Sequence, residues 1–104
     1  MNKNCDISNI VPCRRFGRTD ISIPILSLGG MRFQQSWKDL DAKEIDIPQQ
    51  KKLEEIVLEA TKNGLNHIET ARHYGSSELQ LGWAMKTITN KKRIIQTKIP
   101  PKDS

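Results

Sequence analysis

Apolar residues recur at helical spacing in two stretches of this chain and gather in short runs in three others. In the first helical stretch, Leu53, Ile56, Val57 and Ala60 follow the i, i+3, i+4, i+7 pattern of a one-sided helix. Lys52, Glu54, Glu55, Glu59 and Lys62 fill the remaining positions. Pro48 stands before this stretch and Gly64 after it, residues that suit a helix start and a left-handed helix end. The pattern predicts a helix over Gln49–Asn63. In the second stretch Leu81, Ala84, Met85 and Ile88 form the stripe, and Trp83 lies off it. Ser77 and Gln80 have capping-box spacing, which predicts a helix starting at Ser77, with Gly75 and Ser76 as alternative caps.

The short runs predict strands. Ile23–Gly29 is mostly apolar, as in a parallel strand buried on both faces. Pro24 can stand only at its start or on an edge. Leu65–Thr70 and Arg93–Thr97 supply the second and third strands. Ahead of them, Cys13–Ser22 reads as a hairpin turning through Gly17–Asp20. Met1–Pro12 is polar and unpatterned, a loose tail. Gly29 and Gly30 permit a tight turn. Met31–Pro48 reads as a long polar loop holding Phe33 and Trp37. Irregular loops of this length are uncommon and often functional. The ordinary alternative is a surface loop whose tryptophan packs down.

The order is hairpin, strand, loop, helix, strand, helix, strand. Alternating strands and helices imply an α/β fold with a parallel sheet and right-handed crossovers. Three parallel strands do not close a sheet. The order fits the N-terminal part of a (β/α)8 TIM barrel, which needs about 250 residues. It fits a small open three-layer domain as well. In either, the outer strands leave unpaired backbone groups that invite self-association.

Composition narrows the function classes. A chain of 104 residues with 36% apolar and 28% charged residues is one globular domain, ordered here over 13–104 after the tail 1–12. Its net charge of +5 comes from small scattered groups, namely Arg14, Arg15 and Arg18, then Lys51 and Lys52, then Lys91, Lys92 and Arg93. Aromatic residues make up 5% of the chain, too few to interleave with such groups, so nucleic-acid binding is not expected. No apolar run approaches the ~20 residues of a membrane span, and no apolar core follows Lys3 as in a secretory signal. A cytoplasmic setting is expected. Cys5 and Cys13 are too few and too far apart for a ligand pair or a disulfide framework, and read as two free thiols.

Chemistry gathers at the ends of the second and third strands. Glu69 ends one, Tyr74 follows it on the loop, and Lys98 ends the other. If these strands run side by side and parallel, the three side chains share one face. An ammonium beside a phenol favours its ionised form, and a carboxylate keeps the ammonium charged and aimed. Such a phenol suits proton donation to a carbonyl oxygen. The ordinary reading is an ion pair with a loop aromatic beside it. His67 and His73 lack convergent partners for a metal, and no metal site is expected.

The string I-E-T-A-R-H-Y-G-S-S-E-L-Q-L-G, from Ile68 to Gly82, resembles the signature of the aldo-keto reductase family. R-R-F-G-R-T-D-I-S-I-P-I-L-S-L-G-G-M-R-F resembles that family's N-terminal hairpin and first barrel strand. I-I-Q-T-K resembles its third strand with the catalytic lysine. The resemblance covers Arg14 to Lys98 and implies a (β/α)8 barrel, here present as its N-terminal portion up to the third strand. It implies that Tyr74 is the general acid, that Lys98 eases the loss of its proton, and that Glu69 stands where the family usually has aspartate. Gly30, Met31 and Arg32 would lie near the nicotinamide end of NADPH. The implied reaction is hydride transfer to a small aldehyde or ketone. The family's catalytic histidine and most of its cofactor pocket belong to later strands. These 104 residues are therefore expected to be inactive by themselves. The alternative is a non-enzymatic module that associates with itself or with a complementing chain.

Overall fold

The chain opens with the hairpin in this computed structural model, which describes residues 11–88 and 92–101. β1 (Cys13–Arg15) pairs antiparallel with β2 (Ser22–Pro24), Cys13 opposite Pro24 and Arg15 opposite Ser22. The Phe16 amide donates to the Ile21 carbonyl at 2.8 Å, closing the turn. The predicted tail falls outside the described residues except at its end. There Val11 is buried, and the Pro12 carbonyl accepts from the Ile25 amide at 2.9 Å. Cys13 itself is disulfide-bonded, which corrects the reading of free thiols. Pairing depends on the separation of two residues in space, which a pair of isolated cysteines does not report. Cys5 lies outside the described residues.

The run Ile23–Gly29 is not one strand. Its first residues complete the hairpin, and only Leu28–Gly29 (β3) joins the parallel sheet. Between them Ile25 and Leu26 are exposed, so the run is not buried on both faces. Pro24 ends β2 and cannot donate to a ladder, which helps break the run there. The long loop is also more ordered than expected. It contains 3-10 turns at Met31–Phe33 and Ala42–Glu44.

α1 (Ile47–Lys62) starts ahead of the expected position because Asp46 caps it. The Asp46 carboxylate accepts from the Gln49 amide at 3.1 Å, and Pro48 sits in the first turn. β4 (His67–Glu69) lies between β3 and β5 (Ile94–Gln96), parallel to both. α2 (Ser77–Thr87) separates β4 from β5 and begins at the expected residue. Its cap is Ser76, not a Ser77–Gln80 box. The Ser77 hydroxyl turns instead to the Gly30 carbonyl, 2.9 Å, and to the Thr70 hydroxyl, 2.8 Å. Past the end of α2, the Arg93 guanidinium donates to the Ile88 carbonyl at 2.6 Å, as suits a cation at a helix C-terminus.

One core joins the layers: Leu53 and Val57 from α1, Ile68 from β4, and Leu81, Ala84 and Ile88 from α2, with Leu28, Phe33, Leu58 and Met85 packed against it. Both helices thus cover the face of β4 that Ile68 presents. Strand alternation puts His67 and Glu69 on the other face. The buried stripe of α1 is Gln50, Leu53, Val57 and Thr61, not the predicted set. Ile56 is 49% exposed. α2 packs against one flank of α1 and draws Gln50 and Thr61 inward, where both find hydrogen bonds. The Gln50 amide donates to the Gln80 carbonyl at 2.9 Å, and the Thr61 hydroxyl to the Val57 carbonyl at 2.7 Å. No helix among the described residues is long and apolar enough to cross a membrane.

The two stripes predict different mutational costs. Leu53→Ala should destabilise the fold by about 2–5 kcal/mol. Ile56→Ala should stay within about 0.5 kcal/mol of the parent. Urea unfolding followed by circular dichroism reads both, and equal losses would contradict the observed face.

Candidate active site

The parallel ladder carries the site. Glu69 lies opposite Gln96 in the β4–β5 register. The pairing continues past the strands, with the Thr70 amide donating to the Gln96 carbonyl at 2.7 Å and the Arg72 amide to the Lys98 carbonyl at 2.9 Å. Lys98 is thereby held beside the loop that leaves β4. That loop is a tight turn. The Tyr74 amide donates to the Ala71 carbonyl and the Ser77 amide to the Tyr74 carbonyl, each at 3.0 Å. The turn lifts Tyr74 over the carboxyl end of β4, directly before α2.

The three predicted side chains meet. The Lys98 ammonium donates to the Tyr74 phenol oxygen at 3.0 Å and makes a short contact with Glu69 Oε2. Its nitrogen is 5.0 Å from the ring centroid, so the contact is directed at the phenol oxygen more than at the ring face. Glu69 is one methylene longer than aspartate and still reaches the ammonium. The Lys98 side chain is 44% exposed and that of Glu69 27%, so the pair faces solvent on one side. The hydrogen bond it donates to Glu69, then that to Tyr74, raises the pKa of Lys98 above its ordinary value of 10.5. Lysine only donates, so the phenol oxygen is the acceptor and its own hydrogen is left for a third group.

The other candidates fall in different places. Gly30 is buried. Its amide donates to the Glu69 carbonyl at 2.6 Å, and a Cβ there would lie 2.6 Å from that same oxygen. It ties the end of β3 to the end of β4 and leaves no backbone group for a ligand. Met31 and Arg32 follow it, are exposed, and line a cavity of about 410 Å³ with residues 34–37. His67 is buried on the strand. Ser27 Oγ lies 2.5 Å from its Nδ1 and Gln96 Oε1 lies 3.0 Å from its Nε2, so both ring nitrogens are engaged. His73 is exposed.

Several residues near the site carry no motif. Arg72 grips Asp39 through two hydrogen bonds, 2.8 and 2.7 Å, and so ties the loop after β3 to the loop after β4. This pair holds the pKa of Asp39 below its ordinary value, by hydrogen bond first and charge second, and raises that of Arg72. Trp37 does not pack down. Its side chain is exposed, while its backbone lies against Gly75. Only the unusual length of the Met31–Pro48 loop singled it out in the sequence.

Comparison with known proteins agrees with this arrangement. The profile of the aldo/keto reductase family matches residues 25–104. A crystal structure from Pseudomonas aeruginosa, described as a candidate aldo-keto reductase, superposes with a TM-score of 0.68 at 24% identity. At that identity the likeness is one of fold. It covers 92% of this chain and 34% of that one, so the chain spans about a third of its length. No curated protein matches the sequence. The parallel strands and two helices correspond to part of a (β/α)8 barrel, without closure among the described residues. With the family profile running over most of its length, the chain belongs to the aldo/keto reductase family.

Proposed function

We propose that Glu69, Tyr74 and Lys98 are the proton-donating half of a carbonyl-reducing site that works with NADPH on small aldehydes or ketones. The observation that carries this reading is the Lys98 ammonium shared between phenol and carboxylate. A reduced nicotinamide cofactor, when bound, supplies the hydride. The chain's own task is the proton. As the carbonyl carbon gains a hydride, its oxygen becomes an alkoxide and takes the Tyr74 proton. The resulting phenolate sits against the Lys98 ammonium, which stabilises the charge where it develops. Glu69 keeps that ammonium protonated and aimed. Exposed Met31 and Arg32 fit the near end of the cofactor, an apolar contact and a cation in one cavity. Gly30, packed against Glu69 and Ser77, supports them from behind.

A second reading rests on the open edges of the sheet. β3 and β5 are its outer strands, and Ile95 and Ile99 are exposed beside the β5 edge. Such edges favour a module that pairs with a second copy or a complementing chain. Sedimentation tests pairing with a second copy. A monomer at all concentrations removes the second copy as the partner.

In a protein that carries the later barrel strands as well, Tyr74→Phe should lower NADPH-dependent reduction of an aldehyde by ~10²–10⁴-fold, the usual weight of a general acid, as read at 340 nm. An unchanged rate would remove Tyr74 from the chemistry. Glu69→Gln should move the Lys98 pKa down toward 10.5, read by NMR titration of its side chain. The sign for stability follows from linkage. A raised folded value means that the pair's contribution is complete below the unfolded pKa and disappears as pH rises through the folded one. Glu69→Gln should therefore flatten the alkaline limb of the stability curve.

A further inference from the structure

The backbone of residues 35–37 is clasped by the residues that follow Tyr74. The Gln35 amide donates to Ser76 Oγ at 3.0 Å and to Gln80 Oε1 at 2.8 Å. The Ser36 amide donates to Ser76 Oγ at 3.2 Å, and the Ser76 amide returns a bond to the Ser36 carbonyl at 3.0 Å. The Ser76 hydroxyl donates its own proton to Gln80 Oε1 at 2.7 Å. Ser76 and Gln80 are both buried, so these bonds are made away from water, where an unpaired group is costly. Gly75 makes the approach possible. Its φ is +55°, and a Cβ on it would lie 1.9 Å from the Ser36 carbonyl oxygen. The clasp has a second anchor. The Gln35 side chain accepts from the Asp46 amide at 2.6 Å and donates to the Glu44 carbonyl at 2.9 Å. The strap thus runs from the start of α2 to the cap of α1.

We infer that Gly75, Ser76 and Gln80 are positioning residues for Tyr74, and that their grip on residues 35–37 sets where the phenol lies relative to Lys98. Tyr74 is adjacent in sequence to the clasp, and its carbonyl accepts from the Ser77 amide just behind it. Its turn has one side on the β4–β5 ladder and the other on the strap. If the strap is released, the turn keeps the ladder side, the Ser77 hydroxyl bond to Gly30 and the exposed Arg72–Asp39 pair, but loses its buried hold directly after Tyr74, and the ring can swing away from the ammonium. The inference rests on the proposed role of Tyr74 for its meaning in catalysis, but not for its test.

The chain has one tyrosine, so its ring resonances are unique in an NMR spectrum. In the parent protein a nuclear Overhauser contact should join the Tyr74 ring to the Lys98 side chain. Ser76→Ala and Gln80→Met, two independent ways to open the clasp, should each lose that contact while the backbone shifts of 84–87 stay in place. Leu53→Val, which loosens the core elsewhere, should retain it. Retention in both clasp variants overturns the inference and leaves the proposed reduction standing. Loss in Leu53→Val overturns it too, because general loosening would then suffice. A parent protein without the contact overturns it outright. Failure of the reductase reading would show separately, as an undiminished rate for Tyr74→Phe in a protein that carries the later barrel strands, with the clasp intact.

Discussion

Lys98 reaches Glu69 and Tyr74 because β4 and β5 run parallel with His67 opposite Ile94. In a parallel pair the carboxyl ends lie together, so whatever each strand hands to its following loop arrives at one place. A slip of one residue would send Lys98 and Gln96 to the helix-facing side. The register is held where slippage is most costly. Ile68 is fully buried against both helices, and the ladder continues through Thr70 and Arg72 into the loop itself. The position of the ammonium is thus a consequence of apolar burial on the opposite face of the same strand.

That face division explains the polar layer beneath the site. His67 and Gln96 share the side of Glu69 and bond to each other, with Ser27 completing the imidazole's partners. On the helix side, Thr97 donates to Glu78 at 2.6 Å. The buried imidazole is thus paired at both ring nitrogens, as buried polar groups usually are. The strap adds a second constraint on the same turn. It binds the loop after β3 to the start of α2 through backbone amides, and the Arg72–Asp39 pair repeats the tie at the surface. The amide bonds are shielded and the ion pair is exposed, so the former carry more of the hold.

Family membership and local geometry bear on different questions. The profile and the shared fold say what kind of barrel these strands belong to. They do not say how a carboxylate longer than aspartate would serve. Locally, the Glu69 side chain reaches the ammonium from a strand end anchored by the Gly30 amide. The close approach of Gly30 to that strand end leaves no room for a side chain.

Sequence alone determined the kinds and order of the elements, the start of α2 at Ser77, and the chemical identity of the phenol, ammonium and carboxylate. These follow from periodicity, turn residues and motif strings, which are local. It misplaced what depends on neighbours. The apolar positions of α1 allowed Ile56 inside, but α2 packs on the other flank, and Gln50 and Thr61 are buried instead, Gln50 donating to the Gln80 carbonyl of α2 and Thr61 to the Val57 carbonyl of its own helix. The run Ile23–Gly29 looked continuous until the hairpin claimed its first residues. The clasp of Gln35, Ser76 and Gln80 left no trace, because backbone amides carry no residue identity and polar side chains forty positions apart show no period. Tertiary structure decided these points, since each is a choice of partner across space.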